Sequence, residues 1–149
     1  MDAPPAASAT PLERRAAAFR KVREAHQTEM AEDYVELIGD LIAETGEARL
    51  TDIAGSMGVA QASASKVVAR LKREGLVDSR PYRSIFLTRA GAEMAADSRR
   101  RHQEVLDFLL ALGLDADTAA NDSEGIEHHV SAATLAALTA LTAELKGHR

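Results

Sequence analysis

Residues 50–87, LTDIAGSMGVAQASASKVVARLKREGLVDSRPYRSIFL, carry the pattern that decides the fold. Leu50, Ile53, Ala54 and Met57 recur at i, i+3, i+4 and i+7, the spacing of one apolar helix face. Gly58 follows, where a left-handed backbone costs little because there is no Cβ. Ala60 to Glu74 predicts the next helix, with Val67, Val68 and Leu71 inward and Gly75 as its stop. Leu76-Val77 and Ile85-Phe86-Leu87 then read as two short strands joined by a tip of Arg80, Pro81, Tyr82 and Arg83.

Upstream, Thr10-Pro11-Leu12-Glu13 is a helix start, with Thr10 as N-cap, Pro11 at the first helical position and Glu13 closing a capping box. That helix runs towards Glu44, with a candidate break near Gln27-Thr28, and Gly46 ends it. Tyr34, Leu37, Ile38, Leu41 and Ile42 form its apolar stripe. Residues 1–9, rich in Ala, Pro and Ser, are expected to be a disordered tail. Downstream, Thr88 caps a helix through His102 towards Leu112, its inward face set by Val105, Phe108, Leu109 and Leu112. Helices at 117–129 and after Ser131 follow, the last with Leu135, Leu138, Leu141 and Leu145 along one side. The expected fold is mainly α. An N-terminal winged helix-turn-helix with a two-stranded wing and a helical extension covers 10–94, and an all-α C-terminal domain covers 95–149.

In such motifs the second helix of the pair enters the major groove by its N-terminal residues. Here these are Gln61, Ser63, Ser65 and Lys66: Gln can pair with adenine, and Lys reaches phosphate or a guanine edge. Arg70, farther along, and Arg80 and Arg83, at the wing tip, suit phosphate or the adjacent minor groove. The charge distribution fits double-stranded DNA. The net charge of −5 divides into −5 over residues 1–60 (6 basic, 11 acidic), +6 over 61–101 (10 basic, 4 acidic) and −6 over 102–149 (2 basic, 8 acidic). A basic face can instead be mere solvated surface, and winged helices can also bind protein. The two wing arginines favour DNA.

The chain has no cysteine, which excludes disulfides and thiolate metal sites and fits a reducing cytoplasm. No apolar run is long enough to span a bilayer, and no secretion signal is evident.

Two groups of hard ligands flank this unit. Asp33 and Glu36 are i, i+3; Glu124, Glu127 and His128 are i, i+3, i+4, so each group shares a helix face. With His102, just after Arg99-Arg100-Arg101, they make four carboxylates and two imidazoles. Each group alone is more often a solvated face; together they point to a metal that sets the posture of a DNA-binding unit.

Glu32-Asp33-Tyr34-Val35-Glu36, the 59–71 helix, Arg101-His102 and Glu124-Gly125-Ile126-Glu127-His128-His129 resemble the manganese transport regulators of the diphtheria toxin repressor family, over about residues 20–145. The resemblance implies a homodimeric repressor of manganese uptake genes, with residues 95–149 as metal-binding and dimerisation domain. It implies that Asp33, Glu36, His102, Glu124, Glu127 and His128 ligate two Mn2+ per subunit, with His129 supporting or structural. Iron-sensing relatives have Met or Cys where this chain has Asp33 and Glu124. Oxygen-rich, thiolate-free donor sets with imidazole independently suit hard divalent ions, with Fe2+ the nearest competitor. An iron-dependent repressor of the same fold is therefore the alternative. A two-metal hydrolase is a second rival, but no nucleophile motif stands out, and the basic unit would have no purpose in it. A winged-helix regulator that senses no metal is the third.

Overall fold

The computed structural model describes residues 9–81 and 84–148. Most of the expected tail, and Tyr82 and Arg83 of the wing tip, lie outside the described residues.

The first helix, α1, runs unbroken over Pro11–Thr45. The candidate break at Gln27-Thr28 does not occur; Thr28 Oγ1 is absorbed by a hydrogen bond to the Glu24 carbonyl one turn back. The Thr10–Glu13 capping box forms, and Gly46 ends the helix at φ 85°. Beyond a short strand β1 (Ala48–Arg49) come α2 (Leu50–Met57) and α3 (Gln61–Arg73), then β2 (Val77–Ser79) and β3 (Ser84–Leu87). The sheet order is β1-β3-β2, antiparallel throughout, with Ala48 opposite Ile85 and Val77 opposite Leu87. The two-stranded wing thus gains a third strand. Two residues are too few to show a period, so β1 left no mark in the sequence.

One core forms from the buried face of α1 (Ala31, Tyr34, Val35, Ile38) with Ile53, Ala54, Ala64, Leu71, Leu76, Val77, Ile85 and Ala95. Val67 and Val68, expected inside, are only partly buried, and Ala64 joins Leu71 as a fully buried residue of α3. A second, smaller core holds Val105, Leu109, Ala119 and Leu135.

A single helix, α4 (Arg89–Ala111), passes through both cores; α5 (Ala116–Ile126) and α6 (Ala132–Gly147) pack on its second half. Thr88 caps α4 by accepting from Gly91 N–H. Position 91 admits only glycine: a Cβ there would lie 2.0 Å from the Leu76 carbonyl oxygen. Leu112, expected inward, is exposed at the end of α4. Because α4 also packs along α1, it brings the C-terminal ligand group up to Asp33 and Glu36.

Candidate metal centre and nucleic-acid interface

The α1 face opposite the core carries Glu29, Asp33 and Glu36, spaced by one turn each. α4 supplies His102, and α5 supplies Glu124. α5 ends at Ile126, but Glu127 keeps helical angles (φ −55°, ψ −34°) and stays on the face with Glu124. His128 falls in the turn beyond. The group expected on one helix face therefore divides. His102 Nδ1 lies 3.2 Å from Glu127 Oε2 and 3.7 Å from Glu124 Oε1, whereas His128 Nε2 lies 3.1 Å from Asp33 Oδ1. Glu127 touches both halves, its Oε1 being 3.2 Å from His128 Nε2. Two donor groups result, Glu29–Asp33–His128 and His102–Glu124–Glu127, each with ligand atoms within 4.8 Å of one another. Glu36 belongs to neither but is close enough for its charge to act on Glu127.

The donor set fits divalent cations. Glu36 Oε1 is buried with no hydrogen-bond partner among the described residues, an arrangement that costs desolvation unless a cation meets it. Burial, and the charges of Glu36 and Glu124, push the Glu127 carboxyl up to about 8 against the opposing pull of His128 and Arg101. Burial would lower the His128 pKa, but hydrogen bonds to Asp33 and Glu32 and the charges of Asp33 and Glu127 push it up to about 10. Both anomalies mark a place with too many carboxylates for its cations.

Sequence reading missed Glu32. It is buried, and its Oε2 accepts from His128 Nδ1–H at 2.6 Å while its Oε1 pairs with Arg101 at 2.5 Å. Burial would raise the Glu32 pKa, but these two partners hold it below the ordinary value. A carboxylate on Nδ1 fixes the ring with Nε2 aimed at Asp33, the arrangement that orients metal-binding histidines. Glu32 precedes the recognised Asp33, but as one acid among several on α1 it carried no distinguishing signal.

On the DNA side, Gln61, Ser63, Ser65 and Lys66 are all exposed on the first turns of α3. Arg73, two turns on from Lys66, lies on the same exposed face. The Arg80 guanidinium sits 4.9 Å from the centre of the Phe86 ring. Arg83 lies outside the described residues. Arg70 departs from expectation: it is half-buried, donates to the Gln27 carbonyl and pairs with Glu74, bracing α3 against α1. The basic middle segment is likewise partly spent in ion pairs within the chain, of which the one made by Arg101 is largely buried. Arg99 pairs with Asp40, Arg101 with Glu32, Arg100 with Asp97 and Glu104, and Lys72 with Asp78. The cationic face left to a polyanion is narrower than +6 implies and centres on Lys66, Arg73 and Arg80.

A winged helix joined by one long helix to a bundle, with hard ligands gathered from both, defines the class of metal-responsive DNA-binding regulators. Two family models together match most of the chain: the iron dependent repressor N-terminal DNA binding domain over residues 26–85, and the iron dependent repressor metal binding and dimerisation domain over 88–148. The chain belongs to this family of transcriptional regulators, and it is not an enzyme family. It is 51% identical over 124 residues to the transcriptional regulator MntR of Escherichia coli O157:H7, covering 83% of this chain and 80% of that one. With the HTH-type transcriptional regulator MntR of Bacillus subtilis (strain 168) it shares 38% over 104 residues, 70% and 73% of the two chains. Among solved structures it resembles the manganese regulator SloR (28% identity, TM-score 0.65, 74% of this chain and 52% of that one). A manganese-dependent transcriptional repressor in complex with manganese is similar at 29% identity and TM-score 0.64, over 75% and 52%. The chain spans about half the length of these solved proteins. Among the described residues no helix is long and apolar enough to cross a membrane.

Proposed function

We propose that the chain is a manganese-responsive transcriptional repressor of manganese uptake genes, acting in the cytoplasm as a homodimer on double-stranded operator DNA. Asp33, Glu36, His102, Glu124, Glu127 and His128 would hold two Mn2+ per subunit. Residues 10–94 form the DNA-binding unit with its helical extension, and 95–149 the metal-binding and dimerisation unit. The observation that carries the reading is the contact of His128 with Asp33, 95 residues earlier, in a pocket where a Glu36 oxygen is buried without a partner.

Bound divalent cations supply the positive charge these carboxylates lack. Without it, each like-charge pair about 4 Å apart costs roughly 4 kcal/mol at an effective dielectric near 20, before water and protonation reduce it. That repulsion favours separating α1 from the α4–α5 ligands. With the ligands drawn together, α1 is held against α4, and the paired recognition helices keep the spacing of two half-sites. The switch is a population shift, bounded by the difference in cation affinity between the two postures. Gln61, Ser63, Ser65 and Lys66 face the major groove; Arg80 and Arg83 meet phosphate or the minor groove at the wing. Arg70 serves as a brace rather than a primary DNA contact.

The test is fluorescence anisotropy with manganese-importer promoter DNA from the same genome at fixed salt, under chelator and then Mn2+, Fe2+ or Zn2+ separately and without oxygen. The reading expects the tightest binding with Mn2+. Activation by Fe2+ alone would transfer the assignment to an iron-dependent repressor.

A further inference from the structure

Beside the centre described above stands a second, more exposed group of donors from two distant parts of the chain. His129 Nε2 lies 3.1 Å from Glu29 Oε2, and His26 Nδ1 lies 3.7 Å from the same oxygen. The two imidazole rings are 6.0 Å apart at their centroids and meet edge to face at 78°. His26 and Glu29 sit one turn apart on α1, and His129 is in the turn after α5, next to His128. Neither His26 nor His129 is needed for the six-ligand set.

We propose that His26 and His129, with Glu29 shared with the adjoining Asp33–His128 group, form a further, nitrogen-rich cation site that takes a borderline divalent ion such as Zn2+. Three observations carry it. The donors converge on one carboxylate oxygen from segments 100 residues apart in sequence, so the cluster is a product of the fold. The two ring centroids stand 6.0 Å apart, wider than the roughly 5 Å that two imidazoles on one tetrahedral Zn2+ take at Zn–N distances of about 2.0–2.1 Å, so an ion would draw the rings together and turn their nitrogens toward it. The chemistry also differs from that of the inner centre: two imidazoles and one carboxylate favour zinc over manganese, both by ligand softness and by the Irving–Williams order. Glu29 also reaches the Asp33–His128 pair, so the outer site adjoins the inner one at its mouth. An ion there would tie α1, close to its upstream extension, to the turn after α5.

The experiment is metal counting by equilibrium dialysis and elemental analysis of the full chain, with free Mn2+ or free Zn2+ at saturating concentration. The wild-type chain is expected to hold one more Zn2+ than Mn2+. His26→Gln is expected to lose that one Zn2+ and keep its Mn2+ count. Its Mn2+-activated operator binding should stay within about twofold of wild type, because His26 lies outside the inner ligand set. Equal Zn2+ and Mn2+ counts in the wild type, or an undiminished Zn2+ count in His26→Gln, would overturn the proposal. Loss of Mn2+ or of Mn2+-activated binding in His26→Gln would also overturn it, by assigning His26 to the inner centre. The inner-centre reading is judged separately, by whether wild-type protein responds to Mn2+ at all.

Discussion

Replacing Glu32 by glutamine separates the orientation of a ligand from the ligand itself. The amide side chain keeps the volume of the buried carboxylate and can still accept from His128 Nδ1–H, but the charge that strengthens this 2.6 Å bond is gone. A hydrogen bond to a charged group contributes about 1.5–3 kcal/mol and a neutral one about 0.5–1.5, so the loss is about 1–1.5 kcal/mol. At 1.4 kcal/mol per tenfold, that moves metal affinity by roughly five- to twelvefold. Partners of this kind around metal-bound histidines contribute about 10–100-fold when removed, so the estimate straddles the lower bound of that range. Arg101 loses its carboxylate but keeps Asp97, 3.5 Å from its Nε, so the fold should survive at a cost of about 1–3 kcal/mol. The assay is a Mn2+ titration of operator binding by anisotropy. The midpoint should rise about tenfold while operator affinity at saturating Mn2+ stays near wild type. A midpoint within about twofold of wild type in a folded Glu32→Gln protein would refute the argument that Glu32 sets the His128 ring for metal.

Other perturbations separate the remaining parts. Glu124→Ala removes an exposed carboxylate, a proposed ligand at the end of the His102 group, and should weaken Mn2+-activated DNA binding while size-exclusion chromatography still gives a dimer. Lys66→Ala should lower affinity across DNA sequences and reduce the slope of log affinity against log salt by about 0.9, whereas a sequence-selective loss at constant slope would mean a base contact. Gly91→Ala drives a methyl group into the Leu76 carbonyl and should cost about 3 kcal/mol or more, seen as a lowered thermal or urea midpoint.

Much of this architecture was legible because its signals are local. The Thr10–Glu13 box, the Gly46 and Gly58 caps and the Leu50–Met57 spacing are each written within a few residues, and each formed as read. The residues proposed as ligands were picked out by spacing and family resemblance, and the fold joins Asp33 to His128 and His102 to Glu124 and Glu127. What escaped depends on distant neighbours. β1 exists only because β3 pairs with it, and Glu32 matters only because His128 and Arg101 arrive beside it. The charge count misled for the same reason. Arg99 and Arg101 belong to the basic segment in sequence, but in space they answer Asp40 and Glu32 on α1. Arg70 likewise turns to the Gln27 carbonyl, a partner 43 residues away.

The central claim is that residues from both halves of the chain join around metal to switch DNA binding. Its most direct test compares operator affinity with Mn2+ and with chelator, at one salt concentration, for the wild type and for His128→Gln. The account predicts a wild-type gain of about 5–150-fold with Mn2+, the usual range of coupling between two sites, abolished by chelator. It predicts almost no gain in a folded, dimeric His128→Gln protein. Equal wild-type affinity in both conditions, or a full Mn2+ response without His128, would contradict it.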